Sequence, residues 1–438
     1  MMVCVFGLWH LGSVTAACLA SGGHQVAGLD CDNTIVEALQ AGEPPLFEPG
    51  LGDLVRQGLA KGNLAFTTDI VTALSGAAVV WVCYDTPVDE QDRADVEFVC
   101  AQIKKLFPHL EPGTVVLISS QVPVGTTRRL ERDYADSYPA SPVSFAYSPE
   151  NLRLGKAIEV FTDPDRVVVG WREGNHESGV NSKERLIELL QPFTSHIEWM
   201  SVESAEMTKH ALNAFLATSV TFINEVASLC ERSGADAKEV ERGLKTERRI
   251  GPDAYLSPGA AFAGGTLARD VAFLEGVGTD HGQPTHLLTA VRASNLNHRT
   301  WVHRKLQSLL SDLRDQKVAV WGLTYKPGTS TLRRSDSIEL CEWLTSQGAI
   351  VQAHDPAIQV LPDELAQRFI LFRTPIAALA GASALVMATG WPEYKTLDAD
   401  MIVSAMRVPI VIDPNRVLEK MLGSDSRIRY ATVGKPLA

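Results

Sequence analysis

The chain has 438 residues, which is enough for two or three domains of ordinary size. It carries 40 Lys and Arg against 52 Asp and Glu, a formal net charge of −12, and 45% of its residues are hydrophobic. This composition excludes a disordered chain, a collagen-like repeat and a small disulfide-stapled fold. The acidic balance argues against a nucleic-acid partner, because such proteins usually present a basic surface.

The sequence predicts a cytoplasmic protein without a membrane partner. No apolar run reaches the roughly 18–20 residues that cross a bilayer. The first residues, MMVCVFGLWHLG, have neither the basic start nor the cleavage site of a signal peptide. The seven cysteines form no CxxC pair and mostly lie in apolar stretches. This pattern is typical of buried reduced thiols, and we predict no metal site.

Strand and helix patterns alternate at both ends of the chain, and helical patterns alone fill the middle. Residues 3–6, 12–21 and 25–29 predict one βαβ unit. Further strands are predicted at residues 78–83, 114–119, 143–147 and 166–170, helices at 204–232, 236–244, 266–277 and 286–310, and renewed alternation from residue 317. We therefore predict an α/β protein with two Rossmann-like, doubly wound parallel-sheet domains, residues 1–202 and 311–438, joined by a helical dimerisation region at 203–310.

The turn between the first strand and the first helix is a candidate dinucleotide site. Gly7 and Gly12 bracket the turn GLWHLG, and Asp30 follows 23 residues after Gly7, at the end of the second strand. The N–H groups of such a helix start can bind a pyrophosphate. An acidic residue at the second strand end binds ribose hydroxyls and repels a 2′-phosphate, which favours NAD over NADP. Trp9 stands where the motif usually has its middle glycine, so a tight turn that no longer binds a dinucleotide is the alternative.

Eight short segments, spread over nearly the whole chain, match the motifs of one family in the same order. They are PLFEPGL (45–51), DTP (85–87), SSQVPVGT (119–126), YSPENL with PDR (147–152 and 164–166), AEMTKHALNAFLA (205–217), RIG (249–251), a glycine pair with a following aspartate (264–265 and 270) and GLTYK (322–326). Together these segments resemble the nucleotide-sugar dehydrogenases of the UDP-glucose/GDP-mannose dehydrogenase family. Each segment alone is a modest match, but eight in this order are specific.

The resemblance implies an NAD-dependent enzyme that oxidises a UDP-hexose or similar sugar nucleotide and supplies polysaccharide precursors. It also implies a homodimer paired through the 204–232 helix, whose apolar face is too wide for one small domain to cover. The implied cofactor contacts are Gly7, Leu11, Gly12, Asp30, Thr86, Ser120 and Arg333. The implied sugar-nucleotide contacts are Leu152, Arg249, Tyr255, Leu256, Phe262, Gly265 and Lys326, with the arginine reaching the substrate of the other subunit.

The candidate catalytic residues include two that share one helix face. Lys209 and Asn213 are four residues apart, and such a pair on an otherwise apolar helix suits the stabilisation of an alkoxide or oxyanion. A lysine on an exposed stripe is the alternative. The resemblance implies a retained catalytic set of Lys209, Asn213, Asp270 and Glu150, in which the aspartate orders the lysine and a water. It also places Thr266 where the family has its cysteine nucleophile.

Five positions depart from the family pattern. They are Thr266 in place of the cysteine, Leu154 in place of a second glutamate, Gln121 in place of threonine, and Ala263 and Trp9 in place of glycines. Family members oxidise the C6 alcohol to a carboxylate in two hydride transfers, the second through a thioester on the cysteine. A threonine hydroxyl ionises far less readily than a thiol, so a helix-start hydroxyl bonded to the backbone is the simpler role for Thr266. We therefore predict two-electron chemistry, with about one NADH per sugar.

Two alternatives stay open beside this interpretation. One is a two-electron oxidoreductase with a different product. The other is a sugar-nucleotide-binding homologue that has lost catalysis. Trp9 and Thr266 favour the loss of catalysis, because each replaces a residue that function normally constrains. Lys209, Asn213 and Asp270 favour an enzyme, because a binding protein need not keep a proton-handling set.

Overall fold

A computed structural model shows that the chain folds into two compact units, Met1–Leu212 and Asn213–Ala438. The structure describes residues 1–87, 89, 94–172, 182–263, 265–332 and 335–437. Each unit contains one sheet with a separate apolar cluster on either face.

The first unit holds an eight-stranded sheet. Its strands are β1 Met2–Phe6, β2 Gln25–Leu29, β3 Leu64–Thr67, β4 Val79–Val82, β5 Val115–Ile118, β6 Ser144–Tyr147, β7 Val167–Gly170 and β8 Ile197–Met200. Their order across the sheet is β3-β2-β1-β4-β5-β6-β7-β8. Neighbouring strands run parallel except β6 and β7. The central strands VVWV and VVLI are buried throughout, because helices cover both faces of a parallel sheet.

Helices connect the strands of the first unit. They are α1 His10–Ser21, α2 Asn33–Gln40, α3 Leu51–Lys61, α4 Ile70–Leu74, α5 Val96–Leu106, α6 Thr126–Ser137, α7 Ala157–Thr162 and α8 Ser182–Leu190. Asp32, Asp69 and Asp95 cap the starts of α2, α4 and α5 by accepting hydrogen bonds from first-turn N–H groups. These caps fix where the helices begin after the strand ends.

Helices come first in the second unit. Helix α9, Val202–Ser233, starts in the first unit and continues into the second. It is followed by α10 Ala237–Thr246, α11 Thr266–Asp280, α12 His286–Arg299 and α13 Trp301–Leu310. The pattern at 286–310 predicted one helix, and the structure has two, because the backbone at Thr300 ends α12 and begins α13.

The second unit ends in a six-stranded parallel sheet. Its elements are β9 Lys317–Trp321, α14 Asp336–Ser346, β10 Ile350–His354, α15 Asp363–Ala366, β11 Ile370–Leu371, α16 Pro375–Ala378, β12 Ala384–Met387, α17 Ala399–Ala405, β13 Ile410–Ile412, α18 Glu419–Leu422 and β14 Arg429–Ala431. The strand order, β11-β10-β9-β12-β13-β14, repeats that of the first six strands of the chain. The predicted pair of doubly wound sheets is therefore confirmed, whereas the division into three domains at residues 202/203 and 310/311 stays a prediction.

The two sheets share the turn that follows their first strand. Gly7 and Gly322 have φ values of +92° and +89°. Asp30 and Asp355, each just after the neighbouring strand, accept a hydrogen bond from the leucine N–H that follows the glycine, at 2.6 and 2.7 Å. A left-handed glycine and a buried aspartate thus shape both turns in the same way.

Helix α9 has an unusual distribution of polarity. The side chains of Glu206, Lys209, His210 and Asn213 are buried, whereas large apolar side chains farther along the helix are exposed. Of the helices in the described part of the chain, α9 is long and apolar enough to cross a membrane by length and composition alone. The core helices of many proteins pass the same test, so this is weak evidence for a membrane span.

Candidate active site

The turn after β1 has the geometry of a dinucleotide-binding turn. A side chain at Gly12 would place its Cβ 1.7 Å from the carbonyl oxygen of Gly7, so only glycine lets α1 begin this close to the strand. The buried Asp30 carboxylate accepts the N–H of Leu8 at 2.6 Å and that of Asp32 at 3.0 Å. The structure therefore brings Gly7, Gly12 and Asp30 together, as the sequence predicted.

The start of α1 fits the pyrophosphate of an NAD cofactor. Trp9, which precedes the helix, gives the first turn no side-chain hydrogen bond, so these N–H groups can donate to phosphate oxygens. The Trp9 side chain is 44% exposed and does not belong to the packed core. Leu11, the second residue of α1, is buried beneath the turn.

A second feature that fits the cofactor lies at the carboxyl edge of the same sheet. Ser120 follows β5, and its Oγ is buried without a hydrogen-bond partner in the described part of the chain. A buried hydroxyl without a partner costs free energy, and a ligand that pairs with it removes that cost. The neighbouring Thr86 hydroxyl donates to the Gln121 carbonyl at 2.6 Å and so joins two strand ends. Arg333, the remaining predicted cofactor contact, lies outside the described residues.

Two polar residues of α9 hold the loop that carries Ser120. Glu206 accepts the N–H groups of Gly125 at 2.6 Å and Thr127 at 3.0 Å, and so caps the start of α6. A ring nitrogen of His210 lies 2.9 Å from the Val122 carbonyl oxygen. Burial raises the pKa of Glu206, and the hydrogen bonds from Thr127 and Gly125 oppose that rise. Sequence reasoning missed both residues, although residues 206, 209, 210 and 213 have the spacing of one helix face.

Lys209 and Glu150 meet inside the first unit. The buried Lys209 Nζ donates to the main-chain carbonyl of Glu150 and lies 3.4 Å from its Oε1. The other carboxylate oxygen of Glu150 accepts the N–H of Leu152 at 3.0 Å. The lysine is thus not part of an exposed stripe, and this alternative is wrong. Instead, the ammonium and the carboxylate are fixed side by side, next to a predicted sugar-nucleotide contact.

Asn213 and Asp270 meet inside the second unit. The Asn213 amide donates to Oδ2 of Asp270, and both residues are buried. Thr266 is the first residue of α11, one turn before Asp270, and its side chain is exposed. Gly265 precedes the helix with φ +107°, a conformation that a side chain would strain. The predicted helix start and the Thr266–Asp270 spacing are both confirmed.

The loop before Thr266 is held by buried side chains of the second unit. Asn295 accepts the N–H of Phe262 at 3.0 Å and donates to its carbonyl at 2.9 Å. Asn224 accepts the N–H of Gly259 at 3.0 Å, and a ring nitrogen of His298 lies 2.8 Å from the carbonyl oxygen of the same glycine. Because these bonds pair the loop's main-chain groups, they fix its path toward Thr266.

The remaining predicted sugar-nucleotide contacts differ in their exposure. Leu256 is buried, Tyr255 is exposed and Lys326 is half-buried. The Arg249 side chain is 88% exposed and its Nε donates to Glu247 at 3.0 Å. Nothing in the structure tests the binding role of these residues, so each role stays a prediction.

A cavity of about 320 Å³ lies beside this loop in the second unit. Its lining includes Ala260 and Ala261 of the loop, and Ala388, Pro414 and Val433, which follow the carboxyl ends of β12, β13 and β14. Ligands of doubly wound sheets bind outside the carboxyl ends of the strands. The second sheet therefore has space for a ligand where this fold usually binds one.

The buried cysteines do not have the surroundings of a catalytic thiol. Six are buried, and burial raises the pKa of each of these thiols, that of Cys18 to about 12. Cys31 is the exposed one and follows Asp30 after β2. A nucleophilic thiol needs a lowered pKa and access to the substrate, so no buried cysteine substitutes for a nucleophile at residue 266.

Comparison with known proteins assigns the chain to a family. Three models of the UDP-glucose/GDP-mannose dehydrogenase family match in order: the NAD-binding domain at residues 1–194, the central domain at 203–297 and the UDP-binding domain at 319–420. The chain belongs to the UDP-glucose/GDP-mannose dehydrogenase family. The resemblance predicted from the sequence is therefore confirmed. The match of residues 1–194 to the NAD-binding domain also confirms the prediction that the cofactor is NAD.

Relatives match this dehydrogenase chain from end to end. The UDP-glucose 6-dehydrogenase of Rhizobium meliloti (strain 1021) is 36% identical over 441 residues, which cover 100% of both chains. That of Pseudomonas aeruginosa PAO1 is 34% identical over 452 residues, covering 100% of this chain and 98% of the relative. The solved UDP-glucose dehydrogenase of the archaeon Pyrobaculum islandicum has a TM-score of 0.83 and 30% identity, covering 94% of this chain and 93% of that chain.

Proposed function

We propose that this protein oxidises a UDP-hexose with NAD as the hydride acceptor. The observation that carries the proposal is the buried Lys209, fixed against Glu150 on the helix face that also bears Asn213. The relatives named UDP-glucose 6-dehydrogenase support a UDP-sugar as the substrate. The uncapped start of α1 and the unpaired Ser120 hydroxyl support NAD at the first sheet.

The first oxidation converts a primary alcohol to an aldehyde. NAD, when bound, accepts the hydride from the carbon, and the hydroxyl proton passes to a base. We propose that the neutral amine of Lys209 accepts this proton from the hydroxyl and that the ammonium so formed donates a hydrogen bond to the developing alkoxide, with Asn213 as a second hydrogen-bond donor. Asp270 accepts from the Asn213 amide, and this fixes which way the amide presents its second N–H.

The second oxidation is the step that this chain lacks the groups to complete. Thr266 supplies a hydroxyl where capture of the aldehyde needs a thiolate, and a hydroxyl requires a strong base to attack. Leu154 removes a carboxylate that would help water release the acid. We therefore propose an aldehyde product, with about one NADH per sugar.

A non-catalytic sugar-nucleotide-binding protein is the second candidate. Trp9 at the cofactor turn favours it, because the motif usually has at that position a glycine that lets the backbone approach the pyrophosphate. The buried Lys209, held against the half-buried Glu150, favours the enzyme, because desolvating a lysine is costly and a protein that only binds the sugar nucleotide has no need of it.

We further propose a cytoplasmic homodimer with the three domains predicted above. Phe215, Phe222 and Leu229 are 70%, 51% and 68% exposed and recur every seven residues on α9, as expected of a helix face covered by a second copy. Arg249 pairs with Glu247 within its own chain, but its side chain is 88% exposed, and we propose that it reaches a site in that second copy. Seven unpaired cysteines suit a reducing compartment.

The proposal is tested by incubating the protein with NAD and a panel of UDP-hexoses and GDP-mannose while following NADH absorbance. We expect NADH with at least one UDP-hexose and none when sugar is omitted. Binding of a UDP-hexose without any NADH would support the non-catalytic protein, and binding of neither ligand would contradict both candidates. The variant Lys209→Met serves as the catalytic control.

A further inference from the structure

A buried carboxylate of the first unit connects two segments that the sequence assigned to different ligands. The Glu48 side chain is 1% exposed. Its Oε2 lies 3.0 Å from Nε2 of His10, the first residue of α1. The same oxygen accepts the N–H of Gly155 at 2.8 Å, and Oε1 accepts the N–H of Ala157 at 2.8 Å.

The first of these segments is the cofactor turn. His10 directly follows Trp9 and starts the helix whose first N–H groups face the pyrophosphate position. The charge of Glu48 also contributes, after burial, to the raised pKa of Cys18, which lies eight residues after His10 on α1. The contact with His10 places the carboxylate against the start of α1.

The second segment is the loop that carries Glu150 and Leu152. Gly155 and Ala157 follow this loop directly, and Ala157 begins α7. At the other end of the loop, Lys209 is bonded to Glu150. The loop is thus held on one side by the catalytic lysine and on the other by Glu48.

A buried carboxylate is costly unless donors satisfy it. Glu48 has three donors, and they belong to two segments separated by more than a hundred residues in sequence. Displacement of either segment breaks at least one of these bonds. A ligand that holds one segment in place also strengthens the Glu48 bonds to the other segment. Glu48 therefore supplies a physical route by which the binding of one ligand can favour the binding of the other.

We propose that Glu48 is a positioning residue that couples dinucleotide binding to sugar-nucleotide binding. It fixes the cofactor turn through His10 and the Glu150 loop through Gly155 and Ala157, so that each bound ligand stabilises the site of the other. The proposal rests on the proposed function, because it requires that the chain bind both ligands.

The test uses NADH with UDP-glucose, a pair that cannot react, and isothermal titration calorimetry. In the unmodified protein, saturating NADH should tighten UDP-glucose binding about fivefold or more, and UDP-glucose should tighten NADH binding by the same factor. In Glu48→Gln and in His10→Phe the factor should fall below about twofold. His10→Phe keeps both main-chain bonds of Glu48 and so retains a folded loop. Glu43→Gln, an exposed carboxylate on the same loop, should behave as the unmodified protein.

The outcomes separate the two proposals. Failure of the unmodified protein to bind one of the ligands alone would overturn the proposed function, and the coupling with it. Binding of both ligands without mutual tightening, or with tightening unchanged in Glu48→Gln and His10→Phe, would overturn the role of Glu48 and leave the proposed function standing. A purely structural role would lower the melting temperature of these variants without changing the coupling factor.

Discussion

Lys209 donates to two oxygens of Glu150, the main-chain carbonyl and the carboxylate Oε1, which lies 3.4 Å from Nζ. Because the Lys209 side chain is only 6% exposed, few water molecules compete for the ammonium. The loop of Glu150 and the helix α9 are therefore linked at the group that we propose handles the proton.

Replacement of this lysine tests its chemical role. Lys209→Met should lower the rate of NADH formation about 10²–10⁴-fold, because the variant removes the proton-handling group and the cationic donor. Calorimetry should show that UDP-glucose still binds. Lys104→Met, a surface lysine of the first unit paired with Asp133, should retain full activity. A loss of less than about tenfold in Lys209→Met would contradict the proposed role.

Thiol chemistry tests whether any cysteine takes part in catalysis. Ellman's reagent should modify one thiol per native chain, Cys31, because the other six are buried with raised pKa values. In a Cys31→Ser variant, iodoacetamide should leave NADH formation unchanged. Rapid inactivation of that variant by iodoacetamide would mean that a buried cysteine is catalytic.

The buried His298 predicts that stability falls in mild acid. Burial lowers the pKa of His298, the hydrogen bond to the Gly259 carbonyl opposes this shift, and the charges of Arg304 and Glu231 act in opposite directions. Above its ordinary pKa of about 6.5 the histidine is neutral in both folded and unfolded chains. As the pH falls below that value, the unfolded chain takes up the proton first, so the free energy of unfolding decreases, by at most about 1.4 kcal/mol per pH unit for this group.

Urea denaturation at several pH values between 7.5 and 5 measures this effect. The free energy of unfolding of His298→Asn should depend less steeply on pH than that of the unmodified protein. Equal slopes for the unmodified protein and His298→Asn would show that His298 titrates alike in both states.

The apolar stripe of α9 predicts a dimer interface. Light scattering at micromolar concentration should give the mass of two chains, and Phe222→Glu should give that of one, because a charge at the centre of the stripe would be buried without a partner. Val360→Glu, at an apolar residue that is 80% exposed, should remain a dimer. A monomeric unmodified protein would contradict the proposed assembly.

The sequence predicted the elements that have strong periodicity or composition. The strand predicted at 25–29 has the same boundaries as the observed β2. The helix predicted at 204–232 is observed at Val202–Ser233. The edge strands β3 and β11 were not predicted, because LAFT alternates weakly and β11 has only two residues. Short edge strands form through pairing with a neighbour, and a single stretch of sequence carries little signal for that.

Some residues of the candidate site could be predicted from the sequence, and others could not. The i, i+4 spacing and the family resemblance indicated Lys209, Asn213 and Asp270, and the structure joins the last two by a hydrogen bond. Glu48 could not be recognised as a connecting residue, since two of its donors are main-chain N–H groups more than a hundred residues away. Every residue except proline has a main-chain N–H group, so the sequence does not indicate which of these groups will bind a given carboxylate.

The variant Thr266→Cys separates the loss of the nucleophile from the other departures. We expect this variant to remain a two-electron enzyme, because Leu154 and Gln121 still depart from the family pattern. Mass spectrometry of the sugar nucleotide after complete turnover would identify the product. A carboxylate from Thr266→Cys alone would mean that the cysteine is the single missing group.

The number of NADH molecules formed per UDP-sugar consumed is the most direct test of the central claim. The claim is that Lys209 and Asn213 support the first oxidation, whereas Thr266 cannot capture the aldehyde for a second. The ratio is measured with an aldehyde trap in the reaction. The unmodified protein should then form about one NADH per sugar, and the sugar nucleotide should be recovered as the trapped aldehyde. About two NADH per sugar together with a carboxylate product would contradict it.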